Sequence, residues 1–206
     1  MTIDSEFQMR VLRGIADAVI DHADELTQLD SAIGDGDHGH NMRRGMEALI
    51  AESAAIAEKP PGEALKSAGM QLVMKVGGAS GPLYGTLLMG LGKAMPDNPD
   101  REDLTECFAQ AVEAVKARGK SDVGQKTMLD VLVPVLDALR GGATAPEIVE
   151  VAADAREATI PMQAQRGRAS FLGERSIGHV DPGARSSELM IAAFVAALGA
   201  DGEAAS

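Results

Sequence analysis

The residues best equipped for chemistry lie in one short run, Leu29-Asp30-Ser31-Ala32-Ile33-Gly34-Asp35-Gly36-Asp37-His38-Gly39-His40-Asn41. Asp30, Asp35 and Asp37 stand within eight residues of one another, interleaved with Gly34, Gly36 and Gly39 and followed by His38 and His40. Carboxylates this close repel unless a cation sits among them, and oxygen-only donor sets on a flexible loop suit Mg2+ or Ca2+. The expected chemistry is a divalent-metal site and, through the metal, a phosphate site. Three alternatives compete. Gly34, Gly36 and Gly39 spell G-x-G-x-x-G, but the preceding segment reads as helix rather than strand, and bare aspartates would repel a pyrophosphate. An EF-hand counted from Asp35 puts Gly39 at position five and Met46 at position twelve, where a bidentate Glu is required. The third alternative is a plain capping loop, with Asp37 or Asn41 capping the next helix.

A second constellation, Val76-Gly77-Gly78-Ala79-Ser80-Gly81-Pro82, opens a helix. Small residues let backbone N–H groups approach an anion, the helix N-terminus favours negative charge, and Ser80 adds a hydroxyl donor. By itself such a turn is an ordinary helix–helix connection; beside the aspartate loop, one phosphate explains both. Gly119-Lys120-Ser121 imitates the end of a P-loop, but position 114 is alanine and the context is helical. Gly119 reads either as a helix C-terminal glycine or as a point of close approach to a nucleotide. The polar run from Gln165 to Ala184 carries Arg166, Arg168 and Arg175, a residue type suited to clamping phosphate, or else simply solvated charge. Met128 reads as core, although a thioether also suits an adenine ring.

The elements that must position these groups are helices. Leu12, Ile15, Ala16, Val19, Ala23 and Leu26 keep the three–four spacing of one buried face, predicting a first helix over Ser5–Leu29 with a capping box from Ser5 and Gln8. Further helices are predicted over Asn41–Ala57, Gly62–Lys75, Pro82–Met95, a stretch capped by Asp100 and reaching Arg118, Gln125–Leu139 with a bend at Pro134, a stretch begun by Thr144, Pro146 and Glu147 and reaching Ala164, and Arg185–Leu198. No segment alternates as a strand, and no linker or repeat divides the 206 residues. The expected fold is all-α, one domain over 1–206, about eight helices with short loops and hence mainly antiparallel neighbours. Loops as long as 165–184 are often lids or binding loops.

A net charge of −12, 2% aromatic residues and no Trp argue against nucleic acid and anionic membrane surfaces as partners. The lone Cys107, a start without the features of a signal peptide, and no apolar run of membrane-spanning length point to the cytoplasm.

Taken in order, Leu29-Asp30 with Ile33-Gly34-Asp35-Gly36-Asp37-His38-Gly39 and Asn41, Val76 to Leu83, Gly119-Lys120 with Lys126-Thr127-Met128, and Gly167-Arg168-Ala169-Ser170 with Gly173 to His179 and Asp181-Pro182-Gly183 form a pattern over nearly the whole chain. It resembles the nucleotide-binding, L-type subunit of dihydroxyacetone kinase. The resemblance implies an eight-helix antiparallel barrel with the nucleotide, ADP or ATP, at one end. It implies that Asp30, Asp35 and Asp37 hold two Mg2+ ions bridging to the phosphates, and that His38, Gly39, His40 and Asn41 line the phosphates with Ala79 and Ser80. Gly119, Met128, Arg168, Asp181, Pro182 and Gly183 would complete the nucleotide pocket. The ketose site would lie on a separate K-type partner, and the phosphoryl donor would be ATP itself or a phosphotransferase-system protein. A four-carbon ketose kinase subunit and a nucleotide-loaded docking or sensor module are the competing functions, and a homodimer stays open.

Overall fold

The computed structural model describes residues 3–203. Among them the regular elements are helical: α1 (Ser5–Asp21), α2 (Ala23–Ile33), α3 (His38–Ala57), α4 (Pro61–Lys75), α5 (Ser80–Leu91), α6 (Arg101–Gly119), α7 (Leu129–Arg140), α8 (Ala145–Ala158), a 3-10 segment (Arg168–Ser176) and α9 (Pro182–Glu203). The fold class is all-α, as expected. Helix α1 packs on α3, α3 on α4, and so on through α9, which packs back on α1. Eight helices therefore close into a ring. Its core includes Leu26, Met42, Met46, Leu72, Tyr84, Val112, Leu129 and Leu132, each at most 2% exposed. The remaining helix, α2, stands outside the ring against α3, α9 and the 3-10 segment.

The α4–α5 pair approaches most intimately because its contact faces are bare. A β-carbon on Gly69 would lie 2.7 Å from the carbonyl of Gly85, and one on Gly85 would lie 2.7 Å from the carbonyl of Gly69. Close backbone approach of this kind is open to glycine alone. It fixes the turn between the two helices, which is the glycine-rich constellation.

Several predicted boundaries move, each for a local reason. The first helix is two, broken at His22, whose Nδ1 lies 2.8 Å from the Ala18 carbonyl. Its cap is Asp4, accepting from the Phe7 N–H, rather than a Ser5–Gln8 box; Gln8 instead donates to the carbonyls of Ala57 and Lys59. The Asp100 and Thr144 caps are both present as full capping boxes. Helix α7 starts at Leu129, not Gln125, because Gly124 and Lys126 have positive φ, 86° and 61°. It runs through Pro134 to Arg140. Helix α8 stops at Ala158, not Ala164, where the Thr159 hydroxyl turns back to the Arg156 carbonyl. The last helix begins three residues earlier than predicted, with Pro182 in its first turn and Asp181 accepting from the Ala184 N–H. The long loop is shorter than expected, since the 3-10 segment fills its middle.

Candidate functional site

Asp30 lies in the last turn of α2 and is 8% exposed. Its Oδ2 accepts from the N–H groups of Asp37 and His38, at 2.9 and 3.1 Å. The N–H groups of the N-cap Asp37 and of His38 are thus satisfied from the preceding helix, and the Asp37 carboxylate makes no capping bond. The capping alternative fails for Asp37 on this point. Asn41 does not cap either: it is inside α3, and its Oδ1 accepts from Arg44. Gly36, at φ 73°, bends the loop so that Asp35 and Asp37 turn toward Asp30. Each of the three aspartates offers a carboxylate oxygen, and these oxygens lie within 4.8 Å of one another. A cluster of hard oxygen donors with two exposed members suits a Mg2+ ion that keeps part of its water shell.

The glycine-rich turn comes up beside this loop. A β-carbon on Gly77 would stand 2.5 Å from Asn41 Oδ1, so the turn and the start of α3 are in contact. Ala79 is exposed, and no side chain caps the α5 N-terminus. Ser80 Oγ lies 3.0 Å from His38 Nδ1. His38 is the junction of the site: its other nitrogen, Nε2, lies 3.0 Å from Ser186 Oγ on α9. Burial pushes its pKa down, opposed by the nearby Asp30 and Asp37. The Tyr84 hydroxyl, 2.7 Å from Ser186 Oγ, also donates toward the Gly183 carbonyl at 3.0 Å. One chain of polar contacts therefore runs from Ser80 to Gly183.

At the far end of that chain Met128 meets the run Asp181-Pro182-Gly183. A β-carbon on Gly183 would stand 3.3 Å from the Met128 nitrogen and 3.6 Å from its β-carbon. Asp181 and Pro182 are buried, and Pro182 accepts the Ser186 hydroxyl at 2.9 Å. Burial raises the Asp181 pKa to about 7, with Asp130 adding repulsion, while N–H groups of Ala184 and Gly183 and the nearby Lys126 pull it down. Gly119 sits at the end of α6, 3.4 Å from Leu83 of α5 if given a β-carbon; the left-handed cap of that helix is Lys120.

Arg168 is 71% exposed, and its Nε pairs with Asp35 Oδ2 at 2.9 Å. It therefore stands at the metal end rather than around the Met128 end. Gly39 is buried for a packing reason, since a β-carbon there would fall 1.8 Å from the Ala23 carbonyl and 2.4 Å from Thr27 Oγ1. It is the close contact of α2 with α3. His40 is exposed in the first turn of α3. Cavities of about 370 and 380 Å³ lie elsewhere, one beside Gly90 and Arg140, the other beside Gln8 and Pro60.

Sequence reasoning passed over Tyr84 and Ser186. They stand 46 and 148 residues from His38, and no local spacing announces them. The single tyrosine of a chain with 2% aromatics is the only hint.

The DAK2 domain model matches residues 32–196. The chain belongs to the DAK2-domain family. Among the family's members, it is 45% identical over 199 residues to the PEP-dependent dihydroxyacetone kinase 1, ADP-binding subunit DhaL of Listeria innocua, covering 95% of this chain and 98% of that one. It is 46% identical over 176 residues to the corresponding PEP-dependent subunit of Escherichia coli, covering 81% and 84%. The D-erythrulose kinase of Mycolicibacterium smegmatis is 35% identical over 192 residues, 87% of this chain but 33% of that protein. The fold matches the crystal structure of the dihydroxyacetone kinase of C. freundii in complex with AMP-PNP and Mg2+, with a TM-score of 0.71, 21% identity, and coverage of 92% of this chain and 33% of that one. No described helix is long and apolar enough to cross a membrane.

Proposed function

We propose that this chain is the nucleotide-holding subunit of a dihydroxyacetone kinase, working in the cytoplasm with a K-type partner that holds the ketose. The observation that carries this reading is the convergence of Asp30, Asp35 and Asp37 within 4.8 Å, in a loop where the Asp37 carboxylate caps nothing. Asp30, Asp35 and Asp37 hold two Mg2+ ions. When bound, the ions neutralise phosphate charge and hold the terminal phosphoryl for in-line transfer.

The chain's own residues do the rest. The uncapped N–H groups of α5 and the Ser80 hydroxyl receive phosphate oxygens, with Asn41 beside them. His38, held between Ser80 and Ser186, fixes the Ser80 side chain. Met128 and Asp181-Pro182-Gly183 form the base-side wall. The pair between Arg168 and Asp35 is exposed, so it costs little to break, and the guanidinium is free to move to phosphate. No group here forms a covalent bond with the nucleotide.

The donor is a phosphotransferase-system protein that recharges a bound ADP. Identities of 45% and 46% to PEP-dependent subunits, against 35% to a D-erythrulose kinase, favour this branch over ATP exchange and over a four-carbon ketose. The test is native mass spectrometry of the purified chain, followed by reconstitution. A retained ADP, with transfer to dihydroxyacetone only when a K-type subunit and the donor protein are present, is the expected result. Phosphorylation of dihydroxyacetone by the chain alone would overturn the division of labour; no transfer with any K-type partner would leave a nucleotide-loaded docking module instead.

A further inference from the structure

Lys126 is 1% exposed, although lysine is rarely buried so fully. Its ammonium meets no carboxylate. It donates to three backbone carbonyls, those of Thr159 at 2.8 Å, Met162 at 3.0 Å and His179 at 2.7 Å. An ammonium has three N–H donors, so all of them are used. Burial pushes its pKa down, opposed by the nearby Asp181 and Asp130. The backbone at Lys126 has φ 61°, a left-handed region that L-residues rarely adopt. Glycine would sit there without strain but would bring no ammonium.

The three carbonyls belong to the chain leaving α8 and to the run that enters Asp181. Lys126 lies two residues before Met128, and His179 two residues before Asp181. Thr159 grips the same run a second time, since its Oγ1 accepts from the Asp181 N–H at 3.1 Å. The two walls of the base-side pocket are thus tied across more than fifty residues of sequence by one side chain. Nothing in this tie reaches the metal end, where Asp30 holds α3 and Ser186 holds His38.

We propose that Lys126 is a positioning residue for the nucleotide: its ammonium sets Met128 against Asp181-Pro182-Gly183 and so builds the base-side half of the pocket, independently of the metal-phosphate half. The assignment rests on the nucleotide reading above. It is tested with Lys126→Met and, because that change strips the ammonium from the carbonyls of Thr159, Met162 and His179 and threatens the fold, with Lys126→Gln, whose side-chain amide keeps two N–H donors. Titration calorimetry compares Mg-ADP with Mg-pyrophosphate, which keeps the diphosphate and lacks the base. In both variants the Kd for Mg-ADP rises at least tenfold while that for Mg-pyrophosphate stays within twofold of wild type. Equal losses for the two ligands would reduce Lys126 to a general structural role, and unchanged Mg-ADP affinity would refute the proposal. If Lys126→Met does not fold, Lys126→Gln decides by the same two outcomes. Wild-type protein that binds neither ligand would instead sink the nucleotide reading itself.

Discussion

Asp37→Asn separates the two roles open to the aspartate loop, because it moves the free protein and the loaded protein in opposite directions. The Asp37 carboxylate is exposed, caps nothing, and shares a 4.8 Å cluster with Asp30 and Asp35. Two unit charges at that distance repel by about 0.9 kcal/mol in water. The variant removes two such pairs, about 1.7 kcal/mol, which screening at physiological salt cuts to about 1 kcal/mol. For a chain of this length that is a rise of about 2–4 °C in Tm without ligand. Asp35→Asn removes the same repulsions but also its pair with Arg168, worth up to about 1 kcal/mol. Its gain is therefore smaller. If the three aspartates hold the metal, both variants lose a ligand, and a tenfold or greater rise in the Kd for Mg-ADP is expected, about 1.4 kcal/mol or more. Thermal melts with and without Mg-ADP, at 0.1 M and 1 M salt, together with calorimetry, measure all three quantities. The free-protein gain should vanish at high salt. An Asp37→Asn protein that melts lower without ligand and binds Mg-ADP as wild type does would make Asp37 a structural residue and refute the metal assignment.

Other perturbations follow from the same geometry. Asp181, buried with a pKa of about 7 against an ordinary value of 3.8, carries its proton in the folded state where the unfolded chain has lost it. Its contribution is fully present below about pH 4 and is lost as the pH rises through 7, with a ceiling of about 4 kcal/mol. Urea denaturation at pH 5 and pH 8 should show the stability of wild type falling relative to Asp181→Asn, and parallel curves would contradict the assignment. Gly39→Ala forces α2 off α3, so a loss of at least about 2 kcal/mol in stability is expected, read as a lower denaturation midpoint; a normal midpoint would mean that the α2–α3 contact is loose. Tyr84→Phe strips a hydroxyl from Gly183, Ser186 and Ser187 and should cost about 1–3 kcal/mol in denaturation. Arg168→Ala should leave Tm within about 2 °C, since its pair is exposed, yet weaken Mg-ADP in calorimetry; unchanged binding would leave Arg168 as solvated charge.

The sequence announced what is local. Three aspartates among glycines, the turn before Ser80, and the caps at Asp100 and Thr144 depend on neighbours a few residues away, and each stands where their chemistry puts it. Helix ends set by distant partners were not legible. Helix α8 ends where Thr159 and Met162 present their carbonyls to Lys126, 33 and 36 residues away. The buried hydroxyls of Tyr84 and Ser186 were invisible for the same reason. The start of α7 is a local miss, where Asp130 draws in the N–H groups of Gly124 and Thr127. Gly39 shows a different limit: a glycine beside candidate ligands reads as a point of approach to phosphate, while the structure assigns its bareness to the Ala23 carbonyl.

The extra helix explains why the site lies where it does. Eight helices close the ring without α2, which adds only Leu26 to the main core cluster they bury. Helix α2 brings Asp30 in its last turn, and that carboxylate performs two tasks at once: one oxygen takes the N–H groups of Asp37 and His38, and the group joins the cluster with Asp35 and Asp37. Asp30 takes the N–H groups of the N-cap residue and of the first helical residue, and the Asp37 side chain makes no cap bond of its own. Asp30 also fixes the start of α3, so that His38 points between Ser80 of α5 and Ser186 of α9. Had Asp37 capped its own helix, its carboxylate would be turned to the N–H groups of that helix and away from Asp30 and Asp35. The short excursion of α2 outside the ring is what brings Asp30 beside Asp35 and Asp37, the three carboxylates that the proposed metal site requires.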